Sequence, residues 1–292
     1  MFPGVPRDVQ ERVLPGPEGE RRFLLYTPAT LDPDRPAPLV LEFHGSGATP
    51  AEQMRYSALH RIADREGFIL AAPRAAIPMR MFDSTPEGAA WNVPGVPLIL
   101  DSGDDTPGPD DVAFVRRVVD AVAAERNVDR RRVYAAGFSG GGRFCSYLAY
   151  AAPDLLAAVG TVAGLRLPSA LRHVRPAPLI AFHGTADPLN PYWGGAGDRW
   201  DLSVPETADL VARTMGAHPT GAPEAVSDAV SRLVYATPGG EVGLVQYTVR
   251  GGGHAWPGTP YPIHTAVLGP VTREMDAGAL IWEFFTDHRA AG

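Results

Sequence analysis

The amino-acid sequence predicts an α/β protein built on a mostly parallel sheet with helices on both faces. Short apolar runs alternate with helical patterns along almost the whole chain of 292 residues, and such alternation is typical of parallel strands joined by crossover helices. The composition, with 45% hydrophobic and 20% charged residues, is that of a folded domain rather than a disordered chain. We expect a single domain over residues 1–292, with a long loop insertion at about 73–110.

Apolar runs and capping signals define the elements in order. Residues 39–43 are an apolar run that follows two prolines, as expected for a buried strand. Thr49, Pro50 and Glu52 form a capping box with proline in the first turn, which predicts a helix to about Glu66. The other predicted elements are strands at residues 68–72, 133–137, 157–163, 179–182 and 242–249, and helices that begin at Asp110 or Asp111, Gly140, Ser203 and Ala277.

Charge and apolar content exclude several classes of partner. The net charge is −7, all 26 basic residues are arginine, and no basic stripe is present, so we expect no nucleic-acid partner. The longest apolar stretch, residues 155–165, is too short to span a membrane. The N-terminal residues lack the order of a signal peptide. We therefore expect a cytoplasmic protein, or a secreted one whose signal peptide is absent from this sequence; the oligomeric state is left open.

Residues 137–141 read Gly-Phe-Ser-Gly-Gly between a predicted strand and a predicted helix. A G-x-S-x-G sequence in this context is the nucleophile elbow of α/β-hydrolases, in which a tight turn exposes the serine at its tip. We therefore predict the α/β-hydrolase fold, with Ser139 as nucleophile. The N–H of Gly140, at the N-terminus of the following helix, is a predicted oxyanion donor. The second predicted donor is the N–H of Ser46 after an earlier strand, with Gly47 as the alternative.

An activated serine needs a base and an acid that orients it, which follow the serine in the order acid and then histidine in this fold. Asp187 comes shortly after the strand at 179–182 and is the predicted acid, with Asp198 and Asp201 as alternatives. His254 follows three glycines after the last strand and is the predicted base, with His264 as its rival. The two strand-end histidines, His44 and His183, are expected to satisfy backbone groups instead. This arrangement requires no cofactor.

Aromatic residues in the loops are candidates for a substrate pocket. Trp91, Tyr192, Trp193 and Trp256 follow strands at the expected carboxyl edge of the sheet and are predicted to bind substrate. The acidic loop at residues 101–105 lacks the ligand spacing of a known calcium loop. We therefore expect no metal.

Five segments together resemble one family, namely polyhydroxybutyrate depolymerases and feruloyl esterases, which overlap carbohydrate esterase family 1. The segments are residues 110–112, 137–144, 183–188, 251–258 and 281–285, and the resemblance extends from about Arg21 to His288. It implies a serine esterase with Ser139, Asp187 and His254 as its triad. Members often have asparagine where this chain has Gly140, and often several cysteines where it has only Cys145.

The substrate is expected to be a small or oligomeric ester. The chain has no threonine-rich linker and no added binding domain for gripping an insoluble polymer. We therefore expect hydroxycinnamoyl or acetyl esters of sugars, or short hydroxyalkanoate esters, with a polyester depolymerase as the alternative. An acyltransferase or a serine peptidase would use the same triad with a different acceptor or leaving group.

Overall fold

The computed structural model describes residues 5–81, 87–98, 108–261 and 265–290. Thirteen strands and seven α-helices are assigned within these ranges. The strands are β1 (Gln10–Leu14), β2 (Arg21–Tyr26), β3 (Ala37–Phe43), β4 (Ile69–Pro73), β5 (Ile77–Met79), β6 (Gly88–Ala90), β7 (Val128–Phe138), β8 (Ala158–Val162), β9 (Leu179–Gly184), β10 (His218–Pro219), β11 (Glu224–Ala225), β12 (Val230–Ala236) and β13 (Val242–Val249). The helices are α1 (Pro50–Ser57), α2 (Leu59–Glu66), α3 (Asp111–Glu125), α4 (Gly140–Ala151), α5 (Val204–Thr214), α6 (Thr265–Leu268) and α7 (Ala277–Thr286).

One large sheet organises the molecule, with the strand order β1-β2-β4-β3-β7-β8-β9-β13-β12-β10. The six central strands from β4 to β13 pair in parallel, as the alternating pattern predicted. The strands on either side of them pair antiparallel. Because the central strands are parallel, all their carboxyl ends lie at the same edge of the sheet, where α/β proteins place their sites.

The central strands are buried on both faces, so neighbouring residues of one strand enter different cores. In β3, Leu39, Leu41 and Phe43 pack into one cluster, whereas Val40 packs into the cluster on the opposite face. This alternation follows from the two-residue period of a strand. Helices α3, α4 and α5 contribute to the first cluster, and α1, α2 and α7 contribute to the second.

The single helix predicted from Thr49 to Glu66 is two helices in the structure. The capping box at Thr49 and Glu52 is present as predicted. At Ala58, however, the backbone adopts a left-handed conformation, with φ of 53°, and the chain changes direction. No glycine or proline marks this break. The Leu59 N–H donates to Ser57 Oγ at 3.1 Å, and Met54 and Ile62, one on each helix, are buried in the same core.

The predicted insertion at 73–110 contains regular structure. Strands β5 and β6 pair antiparallel as a separate two-stranded sheet. Ala89 of β6 forms an isolated bridge with Ala48, and the Gly47 N–H donates to the Ala89 carbonyl at 2.9 Å. The insertion therefore packs against the loop that follows β3.

Candidate active site

Ser139 lies in a strained turn between β7 and α4. Its backbone has φ of 56° and ψ of −117°, a combination that side chains other than glycine rarely adopt. The Ser139 N–H donates to the Val162 carbonyl at 2.8 Å and holds the turn against β8. A Cβ on Gly141 would lie 2.1 Å from the Phe43 carbonyl oxygen, so this position must be glycine. The turn has the form of a nucleophile elbow.

Asp187 and His254 are brought together by two neighbouring parallel strands. β9 precedes Asp187 and β13 precedes His254, and Val249 pairs with Gly184 at their ends. His254 Nδ1 lies 2.8 Å from Asp187 Oδ2. The two loops are also joined by their backbones, because the Ala186 N–H donates to the Gly252 carbonyl at 2.9 Å.

The Asp187 carboxylate is buried and fully engaged. Its Oδ1 accepts from the backbone N–H groups of Leu189 and Asn190, both at 2.8 Å. Its Oδ2 accepts from His254 and lies 3.4 Å from His183 Nε2. Burial opposes ionisation, but the bonds from His183 and His254 outweigh it and hold the pKa of Asp187 well below its usual range. Asp187 is therefore an anion at neutral pH.

The imidazole of His254 packs beside the residue that precedes Ser139. Because Nδ1 faces a carboxylate, Nδ1 carries the proton and Nε2 is left as an acceptor. The ring centroid lies 4.9 Å from that of Phe138, the residue immediately before Ser139. The His254 N–H donates to the Leu268 carbonyl at 2.5 Å, which fixes the backbone of this loop.

Two backbone N–H groups are available beside the elbow. Gly140 is the first residue of α4, and its N–H therefore has no intrahelical acceptor. A Cβ on Gly140 would lie 2.8 Å from the Ser46 nitrogen, which shows how closely the two backbones approach. Within the described ranges, no acceptor pairs with the Ser46 N–H, whereas the Gly47 N–H is taken by Ala89. The alternative donor, Gly47, is therefore occupied.

The strand-end histidines differ from each other. His44 satisfies backbone groups as predicted, since Nδ1 bonds the Gly45 carbonyl and Nε2 accepts from the Ala75 N–H. Burial lowers the pKa of His44 to about 4, so it is neutral. His183 donates from Nε2 to the Asn190 carbonyl at 2.8 Å and also contacts the Asp187 carboxylate. Sequence reasoning missed this contact, for which the only signal was the four-residue spacing from His183 to Asp187.

The alternative acids and base are placed elsewhere or lie outside the described residues. Asp201 pairs with Arg166 at 2.6 Å, and Asp198 lies exposed in a turn at Gly197–Arg199. His254 donates its hydrogen bond to Asp187 instead. His264 lies outside the described residues, as does the acidic loop at 101–105.

Three of the four aromatic residues predicted to bind substrate are core residues. Trp91 is buried, stacks on Phe144 and donates to the His44 carbonyl at 2.9 Å. Tyr192 and Trp256 are also buried, one in each core. Their burial leaves little of these three side chains exposed for a substrate to contact. Trp193 alone of the four is exposed, with 71% of its surface accessible.

Two features are absent from the described residues. No group of three or more histidine, cysteine or acidic side chains that could hold a metal ion was found among them. None of the helices within those ranges is long and apolar enough to cross a membrane.

Comparison of the sequence with known proteins identifies its family. The family described as Esterase PHB depolymerase matches residues 22–189, which include Ser139 and Asp187. The chain belongs to this family. NocK of Nocardia uniformis subsp. tsuyamanensis, a protein named as an esterase, is 35% identical over 271 residues, covering 85% of this chain and 73% of NocK.

Other relatives of the esterase extend the comparison. Feruloyl esterase B of Piromyces equi is 27% identical over 253 residues, and the match spans 80% of this chain but only 42% of that protein. The solved structure of acetyl xylan esterase from Aspergillus awamori superposes with a TM-score of 0.64 at 15% identity, covering 95% of this chain and 99% of the other. This likeness confirms the predicted α/β-hydrolase fold. The protein is a carboxylic ester hydrolase.

Proposed function

We propose that the esterase cleaves its substrate through a covalent acyl-enzyme formed on Ser139, with His254 as general base and Asp187 as the acid that orients it. The observation that carries the proposal is the 2.8 Å bond between Asp187 Oδ2 and His254 Nδ1, on an imidazole packed against Phe138 at the elbow. The strained backbone of Ser139 supports it, because such strain persists where function requires an exposed nucleophile.

In the acylation step, Ser139 Oγ attacks the ester carbonyl while His254 Nε2 takes its proton. Asp187 holds the imidazole in the required tautomer and stabilises the imidazolium that forms. The carbonyl oxygen becomes an oxyanion, which accepts from the N–H groups of Ser46 and Gly140. When the tetrahedral intermediate collapses, His254 returns the proton to the alkoxide and the alcohol leaves.

Deacylation repeats these steps with water. His254 takes a proton from the water molecule, the hydroxide attacks the acyl carbonyl, and the same two N–H groups stabilise the second oxyanion. Collapse releases the acid and returns the proton to Ser139 Oγ. Every proton passes through His254, so the reaction requires its imidazole to be neutral at the start of each step.

The substrate class we propose is soluble esters, either acetyl or hydroxycinnamoyl esters of sugars or short hydroxyalkanoate esters. The names of the relatives support this range, since they include a feruloyl esterase and an acetylxylan esterase. Polyester depolymerase is the second candidate. Exposed Trp193 favours it, because a protruding aromatic side chain could contact a polymer surface.

The first test is labelling with a fluorophosphonate probe, comparing the wild type with Ser139→Ala. We expect labelling and turnover of p-nitrophenyl acetate to fall by at least about 10³-fold in the variant. Removal of the hydroxyl should leave the melting temperature at or above that of the wild type, which controls for folding. Retained turnover in a folded variant would exclude Ser139 as nucleophile.

A substrate panel then separates the candidate functions. Methyl ferulate, p-nitrophenyl acetate and a hydroxybutyrate oligomer are compared with a film of polyhydroxybutyrate and with an acetyl anilide. Hydrolysis of the soluble esters at the highest kcat/KM supports the first candidate, and release of acid from the film supports the second. Preferred cleavage of the anilide would indicate a peptidase and contradict both.

A further inference from the structure

Three arginine side chains are almost completely buried, and one of them differs from the other two. Arg21, Arg143 and Arg166 are 5%, 5% and 4% exposed. Arg21 pairs with Asp111 at 2.6 Å and Arg166 pairs with Asp201 at 2.6 Å. No carboxylate of the described residues pairs with Arg143, although its charge is as deeply buried.

Arg143 lies directly beside the proposed catalytic groups. It is the fourth residue of α4, and its N–H donates to the Ser139 carbonyl at 2.9 Å. The guanidinium reaches two neutral oxygens, with Nη2 at 3.4 Å from Ser46 Oγ and Nη1 at 3.4 Å from the Pro97 carbonyl. Within the described ranges, its Nε is buried without a partner. The same residues therefore leave donors of Arg143 unused and supply no carboxylate for its charge.

The surroundings of Arg143 add positive charge. Burial, together with repulsion from Arg199 and Arg166, lowers the pKa of Arg143 to about 9. Arg199 itself donates to Asn190 Oδ1 and to the Leu189 carbonyl, both neutral acceptors. Asp201 compensates Arg166 and also lies 3.7 Å from Arg172. In the part of the chain that the structure describes, Arg166 therefore has a carboxylate partner, whereas Arg143 and Arg199 do not.

A cleft adjoins this arginine. It has a volume of about 530 Å³, and its lining includes Asn92, Pro97 and the charged side chains of Arg166, Asp198 and Asp201. This volume is within the range of small-molecule sites. Arg143 is not itself a lining residue, but its Nη1 contacts the carbonyl of Pro97, which is one. The guanidinium therefore lies next to the rim of a space large enough for part of a substrate.

We propose that Arg143 binds a carboxylate carried by the ester substrate, which makes the enzyme selective for esters with a free acid group. An uncompensated buried cation is costly, and a carboxylate that enters with the substrate removes that cost. The planar guanidinium suits a carboxylate because it can donate two parallel hydrogen bonds. This inference rests on the proposed function and deepens it: short hydroxyalkanoate oligomers end in a carboxylate, whereas acetyl and feruloyl esters of neutral sugars do not.

The test compares matched esters that differ in the acid group. On the acyl side, the pair is mono-p-nitrophenyl glutarate and p-nitrophenyl valerate. On the alcohol side, it is 4-acetoxybutanoate and butyl acetate. We expect kcat/KM of the wild type to favour the carboxylate member of at least one pair by about 10- to 100-fold, as a charge-assisted hydrogen bond would provide. Equal rates within both pairs would overturn the inference.

Variants assign the preference to Arg143. In Arg143→Met, the ratio of kcat/KM for the carboxylate and neutral members should fall at least about tenfold, whatever happens to the absolute rates. Arg116→Met is the matched control, because Arg116 pairs with Asp154 on the surface, and its ratio should stay at the wild-type value. A preference that survives Arg143→Met would contradict the inference. If this variant fails to fold, Arg143→Lys should show a reduced ratio, and an unchanged one would contradict the assignment.

The two proposals fail in different ways. If p-nitrophenyl valerate is hydrolysed by the wild type but not by Ser139→Ala, and neither pair shows a preference, the proposed function stands and the role of Arg143 is wrong. If Ser139→Ala retains turnover, the proposed function itself is wrong, and the inference about Arg143 falls with it.

Discussion

Asp111 and Asp187 are both buried carboxylates, but their partners differ in kind. Asp111 accepts from Arg21 Nη2 at 2.6 Å and from the Asn92 N–H at 2.8 Å. Its partner carries a permanent charge and is held over the Phe114 ring, 4.0 Å from its centroid. Asp187 instead faces two histidines, His254 at 2.8 Å and His183 at 3.4 Å. A histidine gains and loses its charge near neutral pH, which an arginine does not.

This difference indicates what each region does. The ion pair between Arg21 and Asp111 joins β2 to the start of α3. Because the two charges compensate each other, we infer that this pair stabilises the fold. In the Asp187 region, His254 Nε2 and the N–H of Ser46 are left unused by the described residues. Donors and acceptors that are held in place and not yet bonded can stabilise the charge that develops on a reacting substrate. Substitutions in the two regions should therefore have different consequences, with loss of turnover at Asp187 and loss of stability at Arg21.

The largest effect is expected for Asp187→Asn. The N–H groups of Leu189 and Asn190 both donate to Oδ1, so the amide oxygen must occupy that position and the NH₂ group must face His254. His254 would then be forced into the wrong tautomer, and kcat should fall by about 10³- to 10⁴-fold. Ester turnover measures the loss, with the surface change Asp154→Asn as control. A fall of less than tenfold would remove Asp187 from the triad.

Breaking the other pair should affect stability rather than turnover. Arg21→Met leaves Asp111 buried with the Asn92 N–H but without a counter-charge, which should cost about 3–5 kcal/mol in the free energy of unfolding. Arg12→Met provides the control, because Arg12 and Glu125 form an exposed pair worth less than about 1 kcal/mol. Urea denaturation measures both, alongside kcat at 25 °C. A variant with unchanged stability and reduced kcat would contradict a purely structural role for Arg21.

Glu42 sharpens the comparison, because it is a buried carboxylate for which the described residues supply no cationic partner. Its Oε1 accepts from Gln53 Nε2 at 3.2 Å, and burial raises the pKa of Glu42 to about 7. A glutamate in the unfolded chain ionises near pH 4.3. Between these values the folded state binds more protons than the unfolded state, so the stability contribution of Glu42 declines as pH rises. Asp187 acts in the opposite sense, and its contribution is lost in acid.

Glu42→Gln should therefore stabilise the protein in a pH-dependent manner. The expected gain is roughly 3–4 kcal/mol at pH 8 and about 1 kcal/mol at pH 5, since one pKa unit corresponds to about 1.4 kcal/mol. Thermal unfolding of the variant and the wild type at both pH values measures the difference. A gain that is the same at pH 5 and pH 8 would show that ionisation of Glu42 is not the cause.

The smallest effect is expected for Trp193→Ala. Trp193 is 71% exposed and contacts Tyr192 edge-on, with ring centroids 4.9 Å apart. If it binds aromatic acyl groups, KM for methyl ferulate should rise by about two- to fivefold, which corresponds to less than 1 kcal/mol. KM for p-nitrophenyl acetate and the melting temperature should hardly change. An unchanged KM for both esters would remove Trp193 from the binding site.

Much of the fold could be predicted because its signals are local. The capping boxes at Thr49 and Ser203 are present in the structure, and the strand predicted at 242–249 is β13 with the same bounds. The antiparallel strands β1, β2 and β12 were missed. Strands β1 and β12 are partly exposed, whereas β2 is buried except at Arg22, and its apolar run at residues 23–26 was overlooked. The break at Ala58 has no local signal, because it depends on how two helices meet the sheet.

The site was predictable where the chain order of the fold constrains it. Asp187 and His254 were selected because they follow particular strands, and the structure brings them within 2.8 Å. The contacts of Phe138 with His254 and of His183 with Asp187 depend on which strands are neighbours, which a sequence pattern does not specify. The sequence pattern also did not predict that Trp91 and Trp256 are buried, because an aromatic side chain in a loop can point either into the core or into solvent.

The bridge between Ala48 and Ala89 has a consequence for how this chain can diversify. The N–H of Gly47 and the N–H of Ala89 are both committed to it, at 2.9 Å and 3.2 Å. The insertion and the proposed oxyanion loop are thereby joined one and two residues after Ser46. Both bonds use backbone atoms, so other side chains can be accommodated, but a Cβ on Gly88 would lie 2.2 Å from the Gly47 carbonyl oxygen. An insertion exchanged into this chain must therefore keep a glycine at that position.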